Sequence, residues 1–239
     1  MLHIKKSQPS ERVISDISRV KSEHKALLDR HDSPSGRKAF DYLDKPLIRK
    51  CLLKEQHGLC AYCMRRIRED NTTIEHYEPI DKEPDGALDY ENMLGTCDGG
   101  RTIERADWAD GRHILCCDAA KGNREITINP YDKSQMDKIR YSEDGRIYTH
   151  PRDETLERDI NDILHLNGRD GLDTSTGLLH GRREAYRSYA EKMKRQGRNL
   201  SRAYIERRIE AIESQDIYPE FAGVILYLLK RKLRQFGKL

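Results

Sequence analysis

Nowhere in the 239 residues does an apolar run approach the ~20 side chains that a membrane-crossing helix requires, so no transmembrane segment is expected. The segment from Met1 to Arg12 is polar and has no apolar core of the kind a secretory leader needs, which makes the cytoplasm the expected compartment. Net charge is also scarce: 44 Lys and Arg stand against 41 Asp and Glu, a formal surplus of +3. Overall charge therefore gives little support to a nucleic-acid partner, and any basic surface must come from local clustering. Internal repeats and low-complexity linkers are missing, which leaves every domain boundary soft. No helix-turn-helix pattern is present either, which weighs against an enzyme with its own sequence-reading module.

What the chain does have is 36% hydrophobic and 36% charged residues in amphipathic order, the texture of a soluble, very polar, largely helical protein. Its length suffices for one large domain or two small ones with a real core. Val13, Ile17, Val20, Leu27 and Leu28 recur at helical spacing behind Ser10, a suitable N-cap for a helix starting at Glu11. Ser33-Pro34-Ser35-Gly36 reads as a break, followed by a helical stretch whose last piece starts near Pro46 and ends near Gly58. From Gly58 to Asn123, cysteines, glycines and acidic turns replace the repeats, which predicts a fold organised by a metal more than by a large apolar core. Ile139-Arg140-Tyr141 and Arg146-Ile147-Tyr148 flank a Ser-Glu-Asp-Gly turn and predict a hairpin. Helices are expected beyond it, around Leu156 to Leu164, from about Gly177 to Gln196, around Tyr204 to Ile212 and from Phe221 to Phe236. The expected division is a helical arm at 1–57, a metal-organised core at 58–130, and at 131–239 a hairpin with a C-terminal helical region for partner docking or nucleic-acid contact.

Six cysteines in a chain of this kind are metal ligands or small buried hydrophobes before they are disulfides. Cys60-Ala-Tyr-Cys63 has the spacing of a zinc knuckle, in which one tight turn sets two thiolates at adjacent tetrahedral vertices. Two further ligands must come from downstream: Cys97, and either Cys117 or Cys116. Cys51 falls on the apolar side of a helix and reads as a core residue. The alternative for the whole set is reduced thiols filling small spaces.

Between the two halves of the cysteine set lies Thr73-Ile74-Glu75-His76-Tyr77-Glu78-Pro79. Thr and Ile favour a strand, where neighbouring side chains point to opposite faces. Glu75 and His76 then share one site only if a distortion or a covering helix brings them together. In chain order, Cys60-x-x-Cys63, Glu75-His76-x-x-Pro79, Glu91-Asn92-Met93-Leu94, Cys97 and Cys117-Asp118-x-x-Lys121-Gly122 resemble the HNH endonuclease superfamily, whose usual pattern closes with Cys-x-x-Cys-Asn-x-x-Lys. Two departures stand out. An insertion, Asp98 to Cys116, spreads the second cysteine pair, and Asp118 stands where Asn is common, a change that keeps an oxygen ligand and adds a negative charge. Over most of the chain, Ile74-Glu75-His76, Asn92, the run Cys117 to Asn123, Ile163-Leu164-His165-Leu166-Asn167 and Arg182-Arg183 resemble the PtuB family, the HNH subunits of Septu-type and retron-linked anti-phage systems.

The resemblance implies an α+β fold, a mainly helical chain around a zinc-stapled ββα-metal core, and a phosphodiester hydrolase. In it Cys60, Cys63, Cys97 and Cys117 hold a structural Zn²⁺, with Cys117 preferred to Cys116 because Asp118 to Gly122 complete the pattern. His76 is the implied general base, and Glu75 and Asp118 bind a catalytic Mg²⁺ or Mn²⁺. Asn92 orients the His76 ring through a hydrogen bond, and Lys121 contacts phosphate. The implied partners are nucleic acid (DNA or tRNA), a PtuA-like ATPase subunit and, in retron-linked systems, a reverse transcriptase with its RNA–DNA product. Arg65, Arg66 and Arg68 beside the knuckle, and Arg182 and Arg183 on a basic helix, are candidate phosphate contacts, which give affinity without sequence choice. A solvated helix face balanced by Glu184 and Glu191 accounts equally well for the basic helix. The competing functional reading is a zinc-stabilised binding or scaffold subunit without turnover; the joint presence of Glu75, His76, Asn92 and Asp118 favours the enzyme.

Overall fold

The computed structural model describes residues 1–104, 111–197 and 200–236. The fold is mixed α+β and mostly helical, with two small two-stranded sheets. Helices α1 (Glu11–Glu23), α2 (Lys25–Leu28), α3 (Ser33–Asp41) and α4 (Lys45–Glu55) come first. Strands β1 (Thr73–His76) and β2 (Met93–Thr96) follow, then the short helices α5 (Cys117–Lys121) and α6 (Lys133–Met136). A second hairpin, β3 (Ile139–Tyr141) and β4 (Ile147–Thr149), leads to α7 (Glu154–Arg158), α8 (Leu178–Gln196), α9 (Arg202–Glu213) and α10 (Ala222–Gln235).

Local sequence explains most of these boundaries. The expected break at Ser33-Pro34-Ser35-Gly36 is instead the opening turn of α3. The Asp32 carboxylate accepts from the Ser35 N–H at 2.8 Å, and Pro34 occupies the first turn, where no backbone donor is needed. Gly36 is there for space: a Cβ would stand 3.0 Å from the Pro84 carbonyl oxygen, so α3 packs directly on the turn Pro84–Leu88. Helix α4 repeats the device with Asp44 as cap and Pro46 in the first turn. The hairpin forms as expected, pairing Ile139 with Thr149 and Tyr141 with Ile147.

β1 and β2 pair antiparallel with Glu75 opposite Leu94 and His76 opposite Met93. Alternation along β2 divides the interior in two. Met93 is buried with Val13, Val20, Ala39, Ile48 and Leu52 of the helical arm and with Leu88 of the turn on which α3 packs. Its neighbour Leu94 belongs to a second cluster with Tyr62, the metal-type cysteines and apolar residues of α8, α9 and α10. The sheet is thus a wall between two apolar clusters, and cross-strand partners share a face. Leu52 is fully buried in the cluster that backs Met93. Leu52→Ala is expected to lower stability by about 2–5 kcal/mol in urea unfolding; a loss below about 0.5 kcal/mol, the level of a surface substitution, would mean that the arm does not support the sheet.

Candidate functional site

The knuckle is built by backbone bonds. Cys60 N–H donates to Arg65 O at 2.9 Å and Met64 N–H to Cys60 O at 3.0 Å, closing the turn that carries Cys63. Gln56, buried, ties this turn to the sheet: its side chain donates to Leu59 O and Gly95 O and accepts from Gly95 N–H, all within 2.8 Å. Cys97 follows directly on β2, and Cys117 begins α5 with φ +56°, a strained value for a residue with a Cβ. Cys117 N–H is held by Leu164 O at 3.0 Å.

These elements bring Cys60, Cys63, Cys97 and Cys117 together, all buried, with their sulfurs within 4.8 Å of one another. Two sulfurs ~2.3 Å from one tetrahedral ion would lie ~3.8 Å apart. The Cys60–Cys117 and Cys63–Cys97 sulfur separations are 3.9 and 3.7 Å. Burial pushes the Cys63 and Cys117 thiols well above the ordinary thiol range, so a thiolate at either calls for a cation. At Cys97 the hydrogen bond with Cys116 is outweighed by those with Cys117, Cys60 and Cys63, which bring its thiol down to about 5. The donor set fits a metal ion such as zinc. Cys116 points elsewhere, toward Gly99 O and the Thr176 hydroxyl.

Glu75 faces the cysteine side of the sheet. Its Oε1 is 2.6 Å from Lys121 Nζ and accepts from the Tyr62 hydroxyl at 3.3 Å. Burial, then the hydrogen-bonded carboxyl of Asp118, hold its pKa well above the ordinary carboxylate range despite the nearby Lys121. Lys121 itself is buried and also donates to His76 O at 3.0 Å. Asp118 Oδ2 meets Arg101 Nη1 at 2.9 Å. His76 lies on the arm side, edge-on to Phe40 with ring centroids 4.8 Å apart. Its Nε2 is 3.0 Å from Ala87 O, and a carbonyl only accepts, so Nε2 carries the proton and Nδ1 is left as a base. Burial lowers the pKa of this ring below the usual imidazole value. Because β1 ends at His76, both faces open onto one cleft of about 420 Å³, lined by Glu75, His76 and Asp118 with Arg37 and Arg101. A larger hollow of about 970 Å³ lies between residues 1–10, α4 and α10 and contains none of this chemistry.

Several expected residues are placed differently. Asn92 does not bond to the His76 ring. Its side chain accepts from Glu78 N–H at 2.8 Å and donates to Glu78 O at 2.9 Å, locking the loop after β1 to the start of β2, and a backbone carbonyl orients the ring instead. Lys121 is buried against Glu75, out of reach of a substrate phosphate. Arg182 is fully buried and cannot touch nucleic acid. Arg65 is committed to Thr176 O at 3.0 Å, and Arg66 to Gly58 O at 3.0 Å and to Tyr218 O, so both brace the knuckle. Arg68 is exposed and Arg183 half-buried beside His180. Sequence reasoning missed Arg37 and Arg101. Arg37 comes from the arm, far away in the chain. Arg101 had a faint signal: the Asp98-Gly99-Gly100 turn directly after Cys97, where a Cβ on Gly99 would meet Cys116 O at 2.2 Å. Residues 105–110 of the insertion lie outside the described residues.

No protein-family model matches the chain. It is similar to a Septu protein PtuB of Bacillus thuringiensis, 24% identical over 174 residues, which is 72% of this chain. The chain spans 57% of the length of that relative.

Metal analysis of the purified protein separates the two adjacent cysteines. Cys117→Ser is expected to lose the bound metal and Cys116→Ser to keep it, as read by elemental analysis; equal metal content in the two variants would contradict the four-sulfur arrangement.

Proposed function

We propose that the protein is a metal-dependent HNH-type nuclease serving in a Septu-related anti-phage defence system. The observation that carries this reading is His76, its tautomer set by the Ala87 carbonyl, sharing a cleft with the Glu75–Asp118 carboxyl pair. In this reading His76 Nδ1 takes a proton from water as the water oxygen bonds to phosphorus and the ester P–O bond breaks. Glu75 and Asp118 would hold the catalytic Mg²⁺ or Mn²⁺, hard oxygen donors suited to such ions. When bound, that cation neutralises charge at phosphorus and on the leaving oxygen. Arg37 and Arg101 border the cleft, paired with Asp81 and Asp118, and in this reading they turn to backbone phosphates, a role the sequence suggested for other arginines. Lys121 acts through Glu75, and Asn92 acts through the loop that carries Ala87. Cys60, Cys63, Cys97 and Cys117 would hold a structural zinc ion.

The likeness to a Septu PtuB protein supports the defence role and a PtuA-like ATPase partner; a retron reverse transcriptase with its RNA–DNA product belongs to the same proposal. Phosphate-directed chemistry of this kind suits DNA or tRNA as substrate.

The direct test is cleavage of plasmid DNA and bulk tRNA by wild-type and His76→Ala protein, with Mg²⁺ or Mn²⁺, with and without the ATPase partner. His76→Ala is expected to slow cleavage at least ~100-fold at unchanged zinc content. Equal cleavage by both proteins, or none by the wild type with its partner present, would sink the nuclease reading. The pH profile follows from the sign of the His76 shift. A lowered pKa keeps the ring neutral at pH 7, and the base is lost only as pH falls through that lowered value. The acid limb of kcat/KM is therefore expected to have its midpoint below about 6.5, the usual imidazole value; a midpoint above it would rule out His76 as the base.

A further inference from the structure

Arg182, on α8, has no role in the cleft, yet its side chain is fully buried. Its Nε donates to Gly145 O at 2.6 Å and one terminal nitrogen to Leu166 O at 2.5 Å. The other terminal nitrogen, Nη1, is buried with no hydrogen-bond partner among the described residues. Carbonyl dipoles satisfy donors without cancelling a charge, and a buried cation without an anion is strongly unfavourable. Asp173, near in space, is committed to the start of α8, where its carboxylate accepts from Leu179 N–H and His180 N–H at 2.9 Å each.

Among the described residues, a second source of negative charge is the four-cysteine centre once its sulfurs are thiolates. Leu178 and Tyr186, which flank Arg182 on α8, belong to the same buried cluster as Cys60, Cys63, Cys97 and Cys117. Leu166, gripped by Arg182, lies two residues beyond Leu164, whose carbonyl holds Cys117 N–H. As thiolates, Cys63 and Cys117 would act on the guanidinium through their charge. Four thiolates around one divalent ion keep a double negative charge, and here it would be buried as well. Met1 also lies in this buried cluster, where its amino group donates to the Tyr141 hydroxyl.

We infer that Arg182 is the internal counter-charge of the metal-loaded four-cysteine centre, and that its grip on Leu166 O also steadies the segment orienting Cys117. This rests on metal binding by the cysteines and is independent of the nuclease reading.

The test compares the full chain as wild type, Arg182→Met and Arg182→Lys, each zinc-loaded and chelator-stripped. Zinc affinity is read by competition with a chromophoric chelator and stability by thermal unfolding. Arg182→Met is expected to weaken zinc binding about 10- to 100-fold, the usual effect of losing a group that supports a metal centre. It should also shrink the rise in Tm that zinc produces. Arg182→Lys, which keeps the charge but not the fork, should lower Tm in both states while keeping most of the zinc-dependent rise. Equal lowering of both Tm values by Arg182→Met, with zinc affinity unchanged, would make Arg182 a packing residue and overturn the inference. If Arg182→Met fails to fold, Arg182→Gln against Arg182→Lys decides: zinc affinity kept by Lys and lost by Gln upholds the inference, and equal loss in both overturns it. A wild-type chain that binds no zinc would remove the inference together with the metal assignment.

Discussion

Four buried sulfur atoms from three separate stretches of chain, held within 4.8 Å of one another, set the geometry on which the rest of the site depends. The knuckle, the end of β2 and the first residue of α5 meet there, although they lie far apart in the chain. At Cys63 and Cys117 burial opposes ionisation, so holding these two as thiolates falls to a cation and to whatever positive charge the surroundings supply. Because Asp118 and Lys121 follow Cys117 within the same short helix, fixing Cys117 also fixes their distance from β1. The ion pair between Lys121 and Glu75 is in this sense a consequence of the sulfur cluster.

The cleft solves a problem that strand geometry creates. Adjacent residues on β1 must face opposite sides, and they do: Glu75 toward the cysteines, His76 toward the helical arm. Neither a bulge nor a distortion is needed, because the strand stops at His76 and both faces reach the same opening. The two sides impose different electrostatics. On one, burial and a neighbouring carboxyl raise the pKa of Glu75, so charge there depends on a compensating cation. On the other, burial favours neutral imidazole and a carbonyl selects its tautomer. A carboxyl whose pKa is raised and an imidazole whose pKa is lowered are thus separated by a single backbone step.

The helical arm, the hairpin and the C-terminal helices were legible because apolar spacing at period 3.6 or 2 and a good turn are local signals. The misread quartet Ser33 to Gly36 shows the limit of such signals. Proline and glycine were taken as a break, but a cap at Asp32 and close packing against Pro84 made them a helix start. The choice of Cys117 over Cys116 was legible only through the motif that follows it.

Motif and spacing by themselves determined which residue types could form a four-sulfur centre and an acid–histidine pair, since those depend on order along the chain. Only the tertiary structure decided which polar groups are exposed to a substrate. The cleft arginines come from α3 and from the turn after Cys97, whereas Arg182, read from sequence as a surface contact, is fully buried. Charge on a side chain is a property of the residue, but whether that charge meets solvent, a carbonyl or a sulfur cluster is a property of packing between segments far apart in the chain.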